Sequence, residues 1–121
     1  MNTEPGCPFT EATNSIVLQT DASTSGWGAY IGNRVLQGQW SDAERLQHIN
    51  LLEMKAVLLA CQSLSRLIQH KTVLCLIDNT TAVTHLNHQG GTKSVKLLKL
   101  TKKVLLLANS LKFVLRARHL P

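Results

Sequence analysis

The sequence lacks the features of a membrane protein or a secreted protein. Its longest apolar stretches, such as residues 104–108, are far too short to cross a bilayer. No basic-then-apolar signal pattern opens the chain, because residues 1–14 are polar and are interrupted by two prolines and a glycine. We therefore expect an intracellular protein, cytoplasmic or nuclear, without a membrane partner.

Cysteine is scarce and is not spaced for a metal. Of the three cysteines, Cys61 and Cys75 lie in apolar runs, which favours buried, reduced thiols. His85 and His88 stand three residues apart on a predicted helix, but no cysteine or third histidine follows nearby. A zinc site is therefore not expected there.

Acidic residues are missing from the C-terminal third of the chain. All seven lie at or before Asp78, whereas eight of the thirteen lysines and arginines lie from Lys93 onward. A basic half facing an acidic half indicates a polyanion held near clustered carboxylates. The alternative is a basic surface that only aids solubility.

What remains is the composition of one globular domain. The chain has 121 residues, of which 44% are hydrophobic and 17% charged, enough for one core and too few for two domains. We expect a linker or tail over residues 1–14 and a domain over residues 15–121.

Hydrophobic periodicity predicts an α/β domain with the element order βββαβααβ. The predicted strands cover residues 15–23, 27–31, 34–40, 72–77 and 111–117, and the predicted helices cover residues 50–69, 78–88 and 92–110. The first three strands predict an antiparallel meander, and the apolar run 72–77 predicts a central strand covered on both faces. The fold expected is one mixed five-stranded sheet, three antiparallel strands and then parallel ones, with helices packed on it.

Three carboxylates stand in unusual places. Asp21 lies inside a predicted strand, where Asp is depleted. Glu53 lies on the apolar face of a predicted helix, and Asp78 directly follows the predicted central strand. Each has an ordinary alternative: a turn residue for Asp21, a capping box with Asn50 for Glu53, and a helix N-cap for Asp78.

Together these carboxylates predict a metal site. If the first and fourth strands are parallel neighbours, Asp21 and Asp78 lie side by side, and Glu53 reaches them from the helix. Three carboxylates so close repel one another unless a cation neutralises them. Oxygen ligands favour Mg²⁺ or Mn²⁺ over zinc, and two such ions can drive phosphodiester cleavage.

Three motifs, in order, resemble those of ribonuclease H domains. They are Thr20-Asp21-Ala22-Ser23 with Gly26-Trp27-Gly28-Ala29, then His48-Ile49-Asn50-x-x-Glu53-x-x-Ala56-Val57, then Ile77-Asp78-Asn79-x-x-Ala82-Val83. The second and third most resemble the ribonuclease H of DIRS-type retrotransposons, where the domain follows a reverse transcriptase. The resemblance runs from about residue 16 to residue 121.

The resemblance implies a ribonuclease H-like fold and endonucleolytic cutting of the RNA strand of an RNA–DNA hybrid. It also implies two Mg²⁺ or Mn²⁺ ions and, as partner, the remainder of a reverse transcriptase polyprotein. Asp21, Glu53 and Asp78 correspond to three of the family's four metal-binding acids. His119 corresponds to a loop histidine assigned to proton transfer or product release. The fourth acid would follow residue 121, so we expect a C-terminally incomplete domain that is inactive or weakly active.

The resemblance also implies contacts with the hybrid. Ser23, Gly26 and Asn79 fall where family members touch its backbone and 2′-hydroxyls. On the last long helix, one side carries a set of lysines expected to hold phosphates, unless they form only a solvated face: Lys93, Lys96, Lys99 and Lys103. Leu100 and Leu107 lie close to that side and indicate a partner surface.

Two other interpretations remain open. A catalytically inactive module of the same fold could bind nucleic acid or protein, although the retained acids argue against it. Another nuclease of this fold is the second. Exonucleases usually carry two acids one residue apart in the first strand, where Gln19 and Ser23 flank Asp21 here. Integrase-type domains place their glutamate last, whereas Glu53 lies between the aspartates.

Overall fold

A computed structural model describes residues 15–88 and 95–120, without the side chains of His85 and His88. The predicted tail, Lys93 and the histidine pair just named therefore lie outside what is described. The strands in this part of the chain are β1 (Ser15–Ala22), β2 (Gly26–Ile31), β3 (Arg34–Gln39), β4 (Thr72–Ile77) and β5 (Val114–His119). The helices are α1 (Asp42–Arg45), α2 (Ile49–Ser63), α3 (Ser65–Ile68), α4 (Thr80–His88) and α5 (Val95–Leu111).

The strands form one mixed sheet in the order β3-β2-β1-β4-β5. Strand β2 pairs antiparallel with β1 and β3, whereas β4 pairs parallel with β1 and β5. The predicted fold class is confirmed, including the parallel neighbours β1 and β4. Because Thr20 is in register with Ile77, Asp21 and Asp78 follow at the same edge of the sheet.

The core lies between one face of the sheet and the helices. Helix α2 packs across β1 and β2, α5 packs against α2, and α4 packs against β4 and β5. Burial along β4 alternates, with Val73, Cys75 and Ile77 fully buried and Leu74 and Leu76 only partly buried. Strand β4 is central, as predicted, but the described residues fully bury only one of its faces, so the predicted cover on both faces is not found among them. No helix in these residues is long and apolar enough to span a membrane.

Three elements differ most from the prediction. The helix predicted over residues 50–69 breaks at Leu64, whose φ of −103° and ψ of 18° are not helical. Helix α1 was not predicted; a capping box between Ser41 and Glu44 starts it. Strand β5 begins three residues late because α5 continues to Leu111 and Lys112 adopts a φ of 60°. His119 therefore ends a strand and does not lie in a loop.

The buried thiols predicted for Cys61 and Cys75 are confirmed, since both are free and fully buried. Burial raises the pKa of Cys61 to about 12 and raises that of Cys75 as well. Burial therefore disfavours the nucleophilic thiolate form of both residues.

Candidate metal and nucleic-acid site

Glu53 is the buried acid of the site. Its side chain leaves the first turns of α2 toward the end of β1 and is 3% exposed. The Ala22 amide donates to Glu53 Oε1 at 3.1 Å, whereas Oε2 is buried without a hydrogen-bond partner among the described residues. The alternative of a capping box between Asn50 and Glu53 does not hold, because His48 is the N-cap and its Nδ1 accepts from the Asn50 amide at 3.1 Å. The Glu53 side chain therefore does not cap its own helix and lies instead against the end of β1.

The protonation of Glu53 depends first on its burial and also on the other two acids. Burial raises its pKa from 4.5 to about 7, against the lowering effect of the Ala22 amide. The negative charges of Asp21 and Asp78 raise the pKa further. The three carboxylates therefore interact electrostatically, as expected from the sequence.

Asp78 is available to the site because its neighbour caps the helix. The Ala82 amide donates to Asn79 Oδ1 at 2.9 Å, so Asn79, and not Asp78, is the N-cap of α4. The side chain of Asp78 is 71% exposed, and its Oδ1 lies 3.4 Å from Nε2 of His119. His119 reaches Asp78 because β5 pairs it with Ile77. A histidine and an acid are thus adjacent at the edge of the sheet.

The donor set suits a hard divalent cation, although it is not assembled. Among the described residues, no group of three His, Cys, Asp or Glu side chains stands ready to hold a metal ion. Asp21 and Asp78 are exposed, so their side chains can rotate toward Glu53. Carboxylate oxygens are the ligands Mg²⁺ prefers, and the unpartnered Oε2 of Glu53 is a buried acceptor that a cation would satisfy. Ligation by these three acids stays a prediction.

The turn after Asp21 is held in one conformation by local hydrogen bonds. Ser23 Oγ accepts from the amides of Ser25 and Gly26, each at 3.3 Å. The Trp40 indole N–H donates to the Ser23 carbonyl at 2.8 Å, a link that the prediction missed although Trp40 ended a predicted strand. A Cβ on Gly26 would collide with the Gly38 carbonyl oxygen, so only glycine fits there.

A shallow groove of about 290 Å³ adjoins this turn. Its lining includes Asp21, Ser23, Gly26, Tyr30, Gln37 and Gln39. Two residues that the resemblance placed against the hybrid, Ser23 and Gly26, therefore lie in a polar depression beside a predicted metal ligand.

The basic side of α5 is exposed as predicted. Its described lysines all face solvent: Lys96, Lys99, Lys102 and Lys103. Leu100 and Leu107 are partly buried and pack against the hydrophobic core, so a partner surface there stays a prediction. The exposed large apolar residues described on α5 are Val95 and Leu106, with 65% and 68% of their surface accessible.

Comparisons with known proteins establish the fold. No protein-family model matches the sequence, and neither does a curated protein. Among solved structures, LC11 ribonuclease H1 from a compost metagenome has 17% identity and a TM-score of 0.72, covering 89% of this chain and 85% of that one. The N-terminal ribonuclease H domain of Rv2228c from Mycobacterium tuberculosis has 18% identity and a TM-score of 0.69, covering 88% and 82%.

A viral polyprotein also contains a similar domain. The foamy virus protease–reverse transcriptase, solved with an RNA/DNA hybrid, has 16% identity and a TM-score of 0.55. The match covers 99% of this chain and 19% of the viral one. LC11 ribonuclease H1 has likewise been solved with an RNA/DNA hybrid, with 16% identity, a TM-score of 0.70 and coverage of 88% and 84%. The chain therefore has the ribonuclease H fold, as the resemblance implied.

Proposed function

We propose that this chain is a ribonuclease H domain that uses divalent cations to cleave the RNA strand of RNA–DNA hybrids. The observation that carries the proposal is Glu53, a buried acid whose Oε2 has no hydrogen-bond partner among the described residues. Burial raises the pKa of Glu53, and the charges of Asp21 and Asp78 raise it further. A structural glutamate gains nothing from this arrangement, because burial beside two like charges opposes its ionisation. A cation between the three acids would remove that cost.

The residues present define the chemistry. Bound Mg²⁺ or Mn²⁺ would supply an activated water and stabilise the leaving oxygen of the phosphodiester. Asp21, Glu53 and Asp78 would hold the ions, with Glu53 anchored by the Ala22 amide. His119, beside Asp78, would carry a proton at Nε2.

The substrate and the biological context are proposed on separate grounds. The exposed lysines of α5 and the groove beside Asp21 support a nucleic-acid substrate, and two structural neighbours were solved with an RNA/DNA hybrid. The viral neighbour supports a role beside a reverse transcriptase. The wording of the second and third motifs supports a DIRS-type retrotransposon, acting inside the cell.

Metal and hybrid binding provide the first test. Mn²⁺ titrated calorimetrically into the chain should bind, and Asp21→Asn should weaken that binding strongly. Asp42→Asn removes the same charge from exposed helix α1 and should have no effect. Cleavage of a labelled hybrid by these 121 residues should be slow, because the three carboxylates offset only part of the charge of two divalent ions. Mn²⁺ binding that is indifferent to Asp21→Asn would refute the metal site.

An inactive binding module is the second candidate. The observation that favours it is the absence, among the described residues, of a ready set of three metal-ligating side chains. This candidate predicts hybrid binding without any metal binding. Fluorescence anisotropy of a labelled hybrid with and without Mn²⁺ therefore separates the two functions.

A further inference from the structure

Two asparagine side chains connect the segments that carry the acids. Asn79 Nδ2 donates to Asn50 Oδ1 at 2.9 Å in a part-buried hydrogen bond. The other end of the same amide, Oδ1, accepts from the Ala82 amide at 2.9 Å. Both polar ends of the Asn79 side chain are thus bonded within the protein.

The location of this bond relates it to the acids. Asn50 and Glu53 are three residues apart in α2 and therefore share one side of that helix. Asn79 directly follows Asp78 at the end of β4. The bond from Asn50 to Asn79 consequently spans the same gap, between α2 and the β4–α4 junction, that separates Glu53 from Asp78.

A second bond complements it. The Ala22 amide donates to Glu53 and so ties α2 to the end of β1, next to Asp21. The asparagine bond ties the same helix to the residue after Asp78. Together the two bonds tie α2, through the side chains of Glu53 and Asn50, to the two segments that carry the aspartates, while the exposed aspartate side chains stay able to rotate.

We propose that Asn50 and Asn79 are a positioning pair that sets the spacing between Glu53 and Asp78 for a divalent cation. Asn79 then acts through this bond and not by contacting nucleic acid, the role that the sequence resemblance implied for it. The proposal rests on the metal site proposed above. It assigns Asn50 a role other than binding the ion, because its Oδ1 accepts the hydrogen bond from Asn79.

Two single variants and their combination test the pair. Asn79→Ser retains a good N-cap for α4 but is too short to reach Asn50. Asn50→Ala removes the acceptor and leaves Asn79 unchanged. Asn87→Ser is the matched control, because Asn87 lies on the same helix and also bonds through both ends of its amide, to the backbone of Ala117.

Mn²⁺ affinity is measured by calorimetry under conditions where circular dichroism shows every variant folded. Asn79→Ser and Asn50→Ala should each weaken binding about tenfold, the lower end for partners that orient metal ligands. The double variant should be no weaker than either single one, because both remove the same bond. Asn87→Ser should lower the melting temperature and leave Mn²⁺ affinity unchanged. Hybrid affinity in metal-free buffer should be the same for Asn79→Ser and the parent chain.

Three results would overturn the positioning pair while the metal site stands. They are unchanged Mn²⁺ affinity in both single variants, additive losses in the double variant, and a loss of metal-free hybrid binding in Asn79→Ser. The last would return Asn79 to direct contact with nucleic acid. Failure of the metal site itself has a different signature, namely parent Mn²⁺ binding that Asp21→Asn does not change, and it would overturn both proposals.

Discussion

Helices α2 and α5 pack against each other, but α2 is mostly buried, whereas α5 is mostly exposed and carries a row of lysines. Nine of the fifteen residues of α2 are buried, including Glu53, whereas only four of the seventeen residues of α5 are buried. Helix α2 is therefore core on most of its circumference, and α5 is an amphipathic surface helix. In α2 the core and the candidate site share neighbouring residues, whereas in α5 the lysines can change without disturbing the core.

The largest expected difference is in stability. Met54 in α2 is fully buried and Leu106 in α5 is 68% exposed. Met54→Ala should lower the free energy of unfolding by about 2–5 kcal/mol, because it leaves a cavity in the core. Leu106→Ala should change it by less than about 0.5 kcal/mol. Urea denaturation measures both, and equal losses would contradict the contrast between the helices.

The second effect depends on pH and concerns the acid of α2. Because the pKa of Glu53 rises from 4.5 to about 7 on folding, ionising Glu53 costs stability as the pH rises through that interval. In metal-free buffer, Glu53→Gln should be close to neutral near pH 4.5 and should stabilise the protein at pH 8 by up to about 3 kcal/mol.

Glu44→Gln is the control for this pH effect and has the opposite sign. The hydrogen bond from Lys55 is the main cause that lowers the pKa of Glu44 to about 2, so this residue stabilises the fold above pH 4.5. Its replacement should therefore destabilise the protein at pH 8. If the difference in stability between Glu53→Gln and the parent is the same at pH 4.5 and at pH 8, Glu53 is not buried as described.

The smallest effect on folding, and the main one on binding, concerns α5. Replacing Lys96, Lys99 and Lys103 with Ala should leave stability within about 0.5 kcal/mol of the parent. It should weaken hybrid binding and reduce the slope of log affinity against log salt by up to about three units. Replacing Arg34, Arg45 and Arg66, which are exposed elsewhere, removes the same charge. An equal change of slope in both variants would mean that α5 has no special part in binding.

Local sequence patterns predicted most of the sheet, but they did not predict where some helices and strands begin and end. Short turns defined the β1–β3 meander, and the apolar run at residues 72–77 defined β4. The break at Leu64 and the left-handed Lys112 carry no glycine or proline that would have marked them. Helix α1 did carry a signal, the Ser41 and Glu44 capping box, but it lies in a polar segment without apolar periodicity.

The candidate site was predictable only where a local sequence pattern was enough to place a residue. Helical periodicity was enough to turn Glu53 inward. Asp78 and Asn79 are both good N-caps, so the sequence alone could not predict which of them caps α4. In the structure Asn79 is the cap, and Asp78 is left for the site. The partnership of Asn79 with Asn50 joins residues 29 positions apart and has no local signature.

The register of β4 against β1 has a consequence for the gene. Side chains alternate between the faces of a strand, so deleting one codon inside β4 would turn every later side chain to the opposite face. Cys75 and Ile77 would leave the core, and Asp78 would leave the edge that it shares with Asp21. A single codon deletion would thus lower the stability of the fold and also disrupt the candidate metal site. Changes in length are tolerable instead at the exposed β2–β3 turn, where Gly32 adopts a φ of 57°.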